Sequence, residues 1–576
     1  MNREGSPEQS TEDGKSVAPK PQEFTIEKAL GRALRYHTSG QLVEAKKLYQ
    51  KIIDVAPNQP VALHYSGVIA HQEGHNNEAV ALISRSLAIN PNDLDAHCNL
   101  GLALEGLEKL EEAVASFRKA IEIKPDYALA HNNIGNVLMK LKRFEEASGE
   151  YKDAITIDPD NLESQNKLAQ AFVDSGHLDK AGSHLQEMIR LDPENAEAHG
   201  NLGFVVNKMG NTSAALTSLR KAIFLKPEYA EAHNNLGLAL QETGRFGEAL
   251  AGFKKAITIE PTRSEFHLNL GLLQLLMGDF ENGWKNFTLC WRETASKPDR
   301  AYAQPFWQGE DITAKTLLIY PEHGLGDFIH MSRYVPMVKA LCARLILEVP
   351  PPLFDLFSTY SGADVLIKLR GDPGHFDLHV PLVDLPRIFE TRLETIPSVA
   401  EGLSVPCELI KKWKAHLAKY IGLRVGLVWS GNPTIAYDRS RSLKPELLKP
   451  LLELEGVNFF SLQVDHGGDV RELLGPDVVD LMPEAKPFPE TAAAMENLDL
   501  IISIDTSAVH LAATLGRPVW VLLPLTPYWC WMIERDDSPW YPTVRLFRQQ
   551  QFGDWGCAID RIAEALKTLI KTDIYR

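Results

Sequence analysis

Three short segments carry side chains that could do chemistry. Residues 320–330 read YPEHGLGDFIH. Two glycines, Gly324 and Gly326, are followed at once by Asp327. A glycine turn lets backbone approach a ligand, and a carboxylate set there can take a proton from a hydroxyl. The dinucleotide pattern fails because Ile329 stands where a third glycine is required, and no Gly-Lys-Ser/Thr follows to make a P-loop. Capping of a helix is the other use open to Asp327. His323 and His330 flank the turn with no role that spacing assigns.

The second segment is DTSAVHLAATLG (505–516). Asp505, Thr506 and Ser507 close a strand and open a helix of small residues carrying His510. A helix N-terminus offers free N–H groups and the positive end of the dipole, which suits a phosphate. A helix cap without a ligand is the alternative. The third segment, SGNPTIAYDRSRSLKPELL (430–448), sets Arg439, Arg441 and Lys444 just beyond Ser430, Gly431 and Asn432. A guanidinium there could neutralise a leaving phosphate, or the loop could be an ordinary solvated basic one.

Each segment follows an apolar, β-branched run: TLLIY, LRVGLVWSG or LDLIISID. Further runs, ARLILEV, ADVLIKL, VNFFSLQ and RPVWVLLP, alternate with helical stretches. Alternation of this kind predicts parallel sheets covered by helices, and ligands at the carboxyl ends of the strands. A bridge at 393–420 holds a basic amphipathic helix and splits the strands into two blocks. The expectation is two Rossmann-like lobes, 298–410 and 411–576, with a cleft between them.

Before residue 298 the pattern is a repeat. Pro57, Pro91, Pro125, Pro159, Pro193, Pro227 and Pro261 are 34 residues apart, and Ala45 to Ala249 keep the same period. So do Gly67, Gly101, Gly135, Gly203, Gly237 and Gly271, with Ala169 in the missing place. Small residues let two helices approach, and proline comes just after a helix end it cannot continue. About eight helix–turn–helix units are predicted over 26–297. In the last, Trp284, Phe287 and Trp291 share a helix face and are expected to dock the repeats onto the next domain. Two residues before the recurrent glycine stand Asn99, Asn133, Asn201, Asn235 and Asn269, a column interrupted by Tyr65 and Lys167. A primary amide donates and accepts, so the column could grip an extended peptide backbone. Inter-repeat hydrogen bonding is the competing use.

The chain of 576 residues carries a net charge of −16, which argues against a nucleic-acid partner. Its six cysteines are scattered with no CxxC pair, which indicates neither a zinc ribbon nor a disulfide framework. Residues 1–25 are polar and read as a disordered tail. No run reaches the ~18 apolar residues of a membrane span. A cytoplasmic protein is expected.

The repeat period and residue types resemble the tetratricopeptide repeat, which implies an all-α superhelix. Taken together, the three segments between about 310 and 555 resemble the heptosyltransferase-like GT-B glycosyltransferases. That resemblance implies Asp327 as catalytic base. It implies Gly324, Gly326, Ser430, Gly431, Asn432, Arg441, Asp505, Thr506, Ser507 and His510 as donor-side residues. The family usually has glycine where Ser507 stands, so the resemblance implies neither heptose nor an ADP donor. Trp529, Trp531, Trp540 and Tyr541 either stack a base or sugar, or cover the rim of the cleft. No two aspartates are separated by one residue between 300 and 576. The expected reaction is therefore a metal-independent, inverting transfer from a nucleotide-sugar co-substrate, with no cofactor. In layout the chain resembles bacterial flagellin glycosyltransferases and O-linked N-acetylglucosamine transferases. That layout implies a protein acceptor, such as flagellin, held by the repeats at Asn99, Asn133, Asn201, Asn235 and Asn269. A transferase for glycan or lipid acceptors, and a peptide-binding scaffold with an inactive transferase half, are the alternatives.

Overall fold

The computed structural model describes residues 25–294, 302–358, 360–399, 403–433, 438–464 and 469–571. All but Thr25 of the expected tail, and the side chains of Trp291 and Arg439, lie outside the described residues. The chain parts into two compact units, Met1–Pro193 and Glu194–Arg576. Its helical part has sixteen helices among the described residues, from Ile26–Thr38 to Phe280–Thr294.

In the first unit the 34-residue period has a plain steric origin. The recurrent alanines Ala45, Ala79, Ala113, Ala147 and Ala181 are fully buried. At the recurrent glycine positions an added methyl would strike the side chain sixteen residues on, Ile83 for Gly67, Phe117 for Gly101 and Tyr151 for Gly135. Helix starts are capped where the sequence allows: the Asp93 carboxylate accepts from Ala96 N–H at 3.0 Å, and Asn161 accepts from Ser164 N–H at 3.0 Å. Each such cap contributes about 1 kcal/mol. A further regularity closes the turns between helices. His97 Nε2 donates to the Pro91 carbonyl, six residues earlier, at 2.9 Å.

The second unit begins with six more helices, Ala196–Lys208 to Phe280–Thr294. His233 and His267 repeat the histidine–proline bond at 2.9 Å, to Pro227 and Pro261. Two parallel sheets come next. The first has β1 (Thr316–Tyr320), β2 (Arg344–Val349), β3 (Val365–Lys368) and β4 (Leu378–Pro381) in the order β3-β2-β1-β4. The second has β5 (Leu423–Val428), β6 (Val457–Ser461), β7 (Val479–Asp480), β8 (Leu500–Ile504), β9 (Val519–Leu523) and β10 (Val544–Arg548). Its order is β10-β9-β8-β5-β6-β7. Counted from β5, that is the 3-2-1-4-5-6 order of the doubly wound Rossmann sheet, which reverses direction between its first and fourth strands. The reversal here falls between β5 and β8.

The last repeat helix packs into the same unit as the sheets. Trp284 is buried and donates through Nε1 to the Thr391 carbonyl at 3.0 Å. Its ring meets Trp529 edge-on at 5.1 Å, and Phe287 stacks on His323 at 5.8 Å. Thr526 Oγ1, after β9, donates to the Gln241 carbonyl at 2.8 Å. The apolar, aromatic end of the repeats is thus part of the core beneath the loops. No helix among the described residues is long and apolar enough to cross a membrane.

Candidate active site

The loops after β1, β5, β8 and β9 converge in the second unit. After β1, Gly324 is the N-cap of the short helix Leu325–Met331, and Asp327 sits in its first turn. The Asp327 carboxylate accepts from the Gly324 N–H and from the Tyr528 hydroxyl, which comes from the loop after β9. Burial raises the Asp327 carboxyl above its ordinary value, while neighbouring His323 and these two donors oppose the shift. Its bond to the N-cap N–H is half of a capping box. The capping use foreseen for Asp327 therefore exists beside its half-buried, solvent-reachable position.

Gly326 brings two helices together. A methyl on it would lie 3.0 Å from His510 Cδ2 and 3.4 Å from Ser507 Cα. Its neighbour across the gap is thus the helix Ser507–Thr514, whose N-cap is Thr506. The Thr506 side chain makes no capping bond. Asp505 is buried, and burial pushes its carboxyl up to about 6, with Arg441 opposing the shift and the charge of Asp327 adding to it. The two carboxylates therefore feel each other. His510 is buried too, and burial with Arg333 and Arg441 holds its imidazole down to about 3, so the ring is neutral at pH 7. Its Nε2 lies 3.8 Å from Asp505 Oδ1, and its Nδ1 is hydrogen-bonded to the Tyr541 hydroxyl at 3.0 Å.

The loop after β5 supplies the cation. Arg441 Nη1 donates to the Asp505 carbonyl at 2.6 Å and Nε to Asp438 Oδ1 at 3.0 Å. Ser442 Oγ donates to Asp438 Oδ2 at 2.8 Å and accepts from Gly431 N–H at 2.9 Å. A methyl on Gly431 would fall 2.0 Å from Asp438 Oδ1 and 2.6 Å from Arg441 Nη2. Only glycine fits here, because the backbone lies against the ion pair. Ser430 N–H donates to Gln463 Oε1 at 2.9 Å, and Asn432 is exposed at the loop's end. Sequence reasoning misses Asp438, Gln463 and Tyr528. Asp438 has a signal in its spacing of three from Arg441, whereas Tyr528 stands 201 residues from Asp327.

The tryptophans differ from the expectation. Trp529, Trp531, Trp540 and Tyr541 are buried in the interior rather than set at a cleft rim. Four rings form one stack, Trp529–His330–His510–Trp531, with centroid spacings of 5.5, 5.1 and 5.4 Å and tilts of 17, 20 and 23°. Arg333 lies over Trp540 and Tyr541 and donates to the Trp540 carbonyl at 2.8 Å. The run of aromatics after β9 is core joining the two sheets' helices.

The asparagine column divides. In the first unit Asn99 Nδ2 meets His64 Nε2 at 2.9 Å, and Asn133 is buried. In the second unit Asn269 Nδ2 donates to Asn234 Oδ1 at 2.9 Å, while Asn201 and Asn235 are half-buried. Two members thus bond to the preceding repeat.

Comparison with known proteins supports the helical part. A TPR repeat model matches residues 107–142, 135–176 and 207–244, and a Tetratricopeptide repeat model matches 230–263. Protein FlbA of Caulobacter vibrioides is 28% identical over 328 residues, 51% of this chain and 53% of that protein. The chain thus spans about half the length of that curated relative. Among solved structures, YrrB, described as a TPR protein with an unusual peptide-binding site, is 24% identical. That match covers 32% of this chain and 95% of YrrB, with a TM-score of 0.26. A tetratricopeptide repeat protein from Parabacteroides merdae is 16% identical over 42% of this chain and 97% of its own, with a TM-score of 0.36. The repeats are tetratricopeptide repeats.

Proposed function

We propose that the chain is a GT-B type protein O-glycosyltransferase, moving a sugar from a nucleotide-sugar onto Ser or Thr of a protein held by the repeats. One observation carries the reading: Asp327, after β1 of one sheet, lies near enough to Asp505 for the two carboxylates to interact, and Arg441 bonds the Asp505 carbonyl at the strand-order reversal of the other sheet. Ligands of doubly wound sheets bind at such a reversal. The helix start at Ser507 and the Arg441 guanidinium suit a leaving phosphate. Asp327, its carboxyl raised by burial, is the base in this reading and accepts the proton of an attacking hydroxyl. Repeats that hold the acceptor raise its effective concentration at the transferase half. Flagellin is the acceptor class suggested by the layout.

A second reading is favoured by the packing of helix Leu325–Met331 onto helix Ser507–Thr514 through Gly326. A sealed junction of that kind also fits a scaffold that binds partners and transfers nothing. One experiment separates the two. The full chain, wild type or Asp327→Asn, is co-expressed with a cytosolic flagellin, and the flagellin's intact mass is measured. Sugar-sized increments with the wild type alone are expected. Increments with both remove Asp327 as base, and increments with neither favour the scaffold.

A further inference from the structure

We propose that His330, His510 and Cys530 form a buried binding site for a thiophilic transition-metal ion, with Zn2+ as its probe. The three come from different elements: the helix after β1, the helix after β8, and the turn Trp529–Trp531 after β9. One ligand atom from each lies within 4.8 Å of the others. Their exposures are 1%, 5% and 0%. The observation that points to a ligand is His330. Among the described residues it alone has two buried side-chain nitrogens with no hydrogen-bond partner. A buried imidazole left unpaired at both nitrogens demands a reason, and a lone pair given to a metal is one.

The surroundings complete the set. The Tyr541 hydroxyl occupies His510 Nδ1 at 3.0 Å, the outer contact that orients a metal-binding imidazole and leaves Nε2 for the ion. Asp505 Oδ1 lies 3.8 Å from that Nε2 but stands outside the three-residue cluster. Two imidazoles and a thiolate suit Zn2+ and disfavour Mg2+ or Ca2+. Binding forms a metal–sulfur bond and releases the thiol proton to buffer. The other candidate group, His131, Glu150 and Asp153, differs: His131 already bonds Glu150 through Nδ1 at 2.8 Å and the Pro125 carbonyl through Nε2 at 3.3 Å.

An ion at His330, His510 and Cys530 would tie the helices of both sheets together. The two imidazoles are stacked, so ligation must turn one ring out of the stack, and flanking Trp529 and Trp531 report the change.

The test uses the untagged full chain, purified, supplied with Zn2+ and dialysed against metal-free buffer. About one equivalent of zinc per chain by mass spectrometry is expected, with a change in tryptophan fluorescence on binding. Co2+ in its place should give a thiolate-to-cobalt charge-transfer band. Cys530→Ser and His330→Gln, checked for folding by circular dichroism, should bind Zn2+ at least about tenfold more weakly. Trace zinc together with no cobalt band in the wild type overturns the proposal, a result that needs no variant to fold. Equal Zn2+ affinity in folded Cys530→Ser also overturns it.

Discussion

The Arg441 guanidinium donates to the main-chain carbonyl of Asp505 at 2.6 Å, joining the loop after β5 to the loop after β8 where the strand order reverses. The same guanidinium holds the Asp438 carboxylate, whose side chain is 8% exposed. Removing it leaves a buried charge that keeps the Ser442 hydroxyl as a donor. Arg441→Leu should therefore cost about 3–5 kcal/mol, read as a lower midpoint in urea unfolding of the full chain. Asp438→Asn added to Arg441→Leu should recover part of that loss, because the stranded charge is gone. If the two single losses simply add, the pair does not act as a unit.

If the proposed transfer uses Asp327 as base, Asp327 sets its pH dependence. A base must be ionised to act. Burial raises the Asp327 carboxyl, so the ionised fraction is reached at higher pH than for a free aspartate, about 3.9. The acid limb of kcat/KM should lie above that value. Tyr528 donates to the ionised form and opposes the rise, so Tyr528→Phe should move the limb further up. Asp327→Asn should lose on the order of 10²–10⁴ in rate. A limb at the free-aspartate value, or one that Tyr528→Phe leaves in place, counts against this assignment.

Much of this is legible in the sequence where local spacing decides structure. The 34-residue period marks buried alanines and the glycines that face a large side chain sixteen residues on, so helix pairing can be read directly. TLLIY, LRVGLV and LIISI announce their strands because buried parallel strands are continuous apolar runs. LHVP (378–381) does not, since four residues ending in proline resemble a loop. VRLFR (544–548) alternates charge with apolar side chains and reads as an exposed edge. The site divides in the same way. Asp327, Asp505 and Arg441 stand just after strands and are recognisable there. Tyr528 and the His330–His510 stack depend on contacts between distant segments, and no local pattern encodes them. The tryptophans after β9 are misread because composition cannot tell a ring that stacks on a ligand from one that stacks on a histidine.

The asparagine column makes two different predictions along one register. Asn269 donates to Asn234, which is 2% exposed. Asn269→Ala strands that buried amide oxygen and should cost about 1–3 kcal/mol. Asn235 is half-buried, and Asn235→Ala should change stability by no more than about 0.5 kcal/mol. If the column binds peptide, Asn235→Ala should weaken partner capture by the full chain while leaving its melting curve in place. Loss of stability at both positions with partner binding unchanged would make the column structural throughout.

Gly324 and Gly326 look alike in the sequence and should behave differently. At Gly324 the backbone has φ −67° and ψ 171°, an extended conformation open to any residue, and an added methyl meets its nearest neighbour, Asp327 Oδ2, at 3.7 Å. Gly324→Ala should therefore change stability by less than about 0.5 kcal/mol. At Gly326 the methyl stands 3.0 Å from His510 Cδ2 and 3.4 Å from a backbone atom of Ser507. Neither can move without shifting the helix Ser507–Thr514 or the ring stack beneath it. Gly326→Val adds still more bulk and should cost about 1–3 kcal/mol by overpacking. Parting the helices should also disturb the Trp529–His330–His510–Trp531 stack and reduce the near-ultraviolet circular dichroism of the tryptophans. Equal melting temperatures for the two variants would mean that the helices do not meet at Gly326.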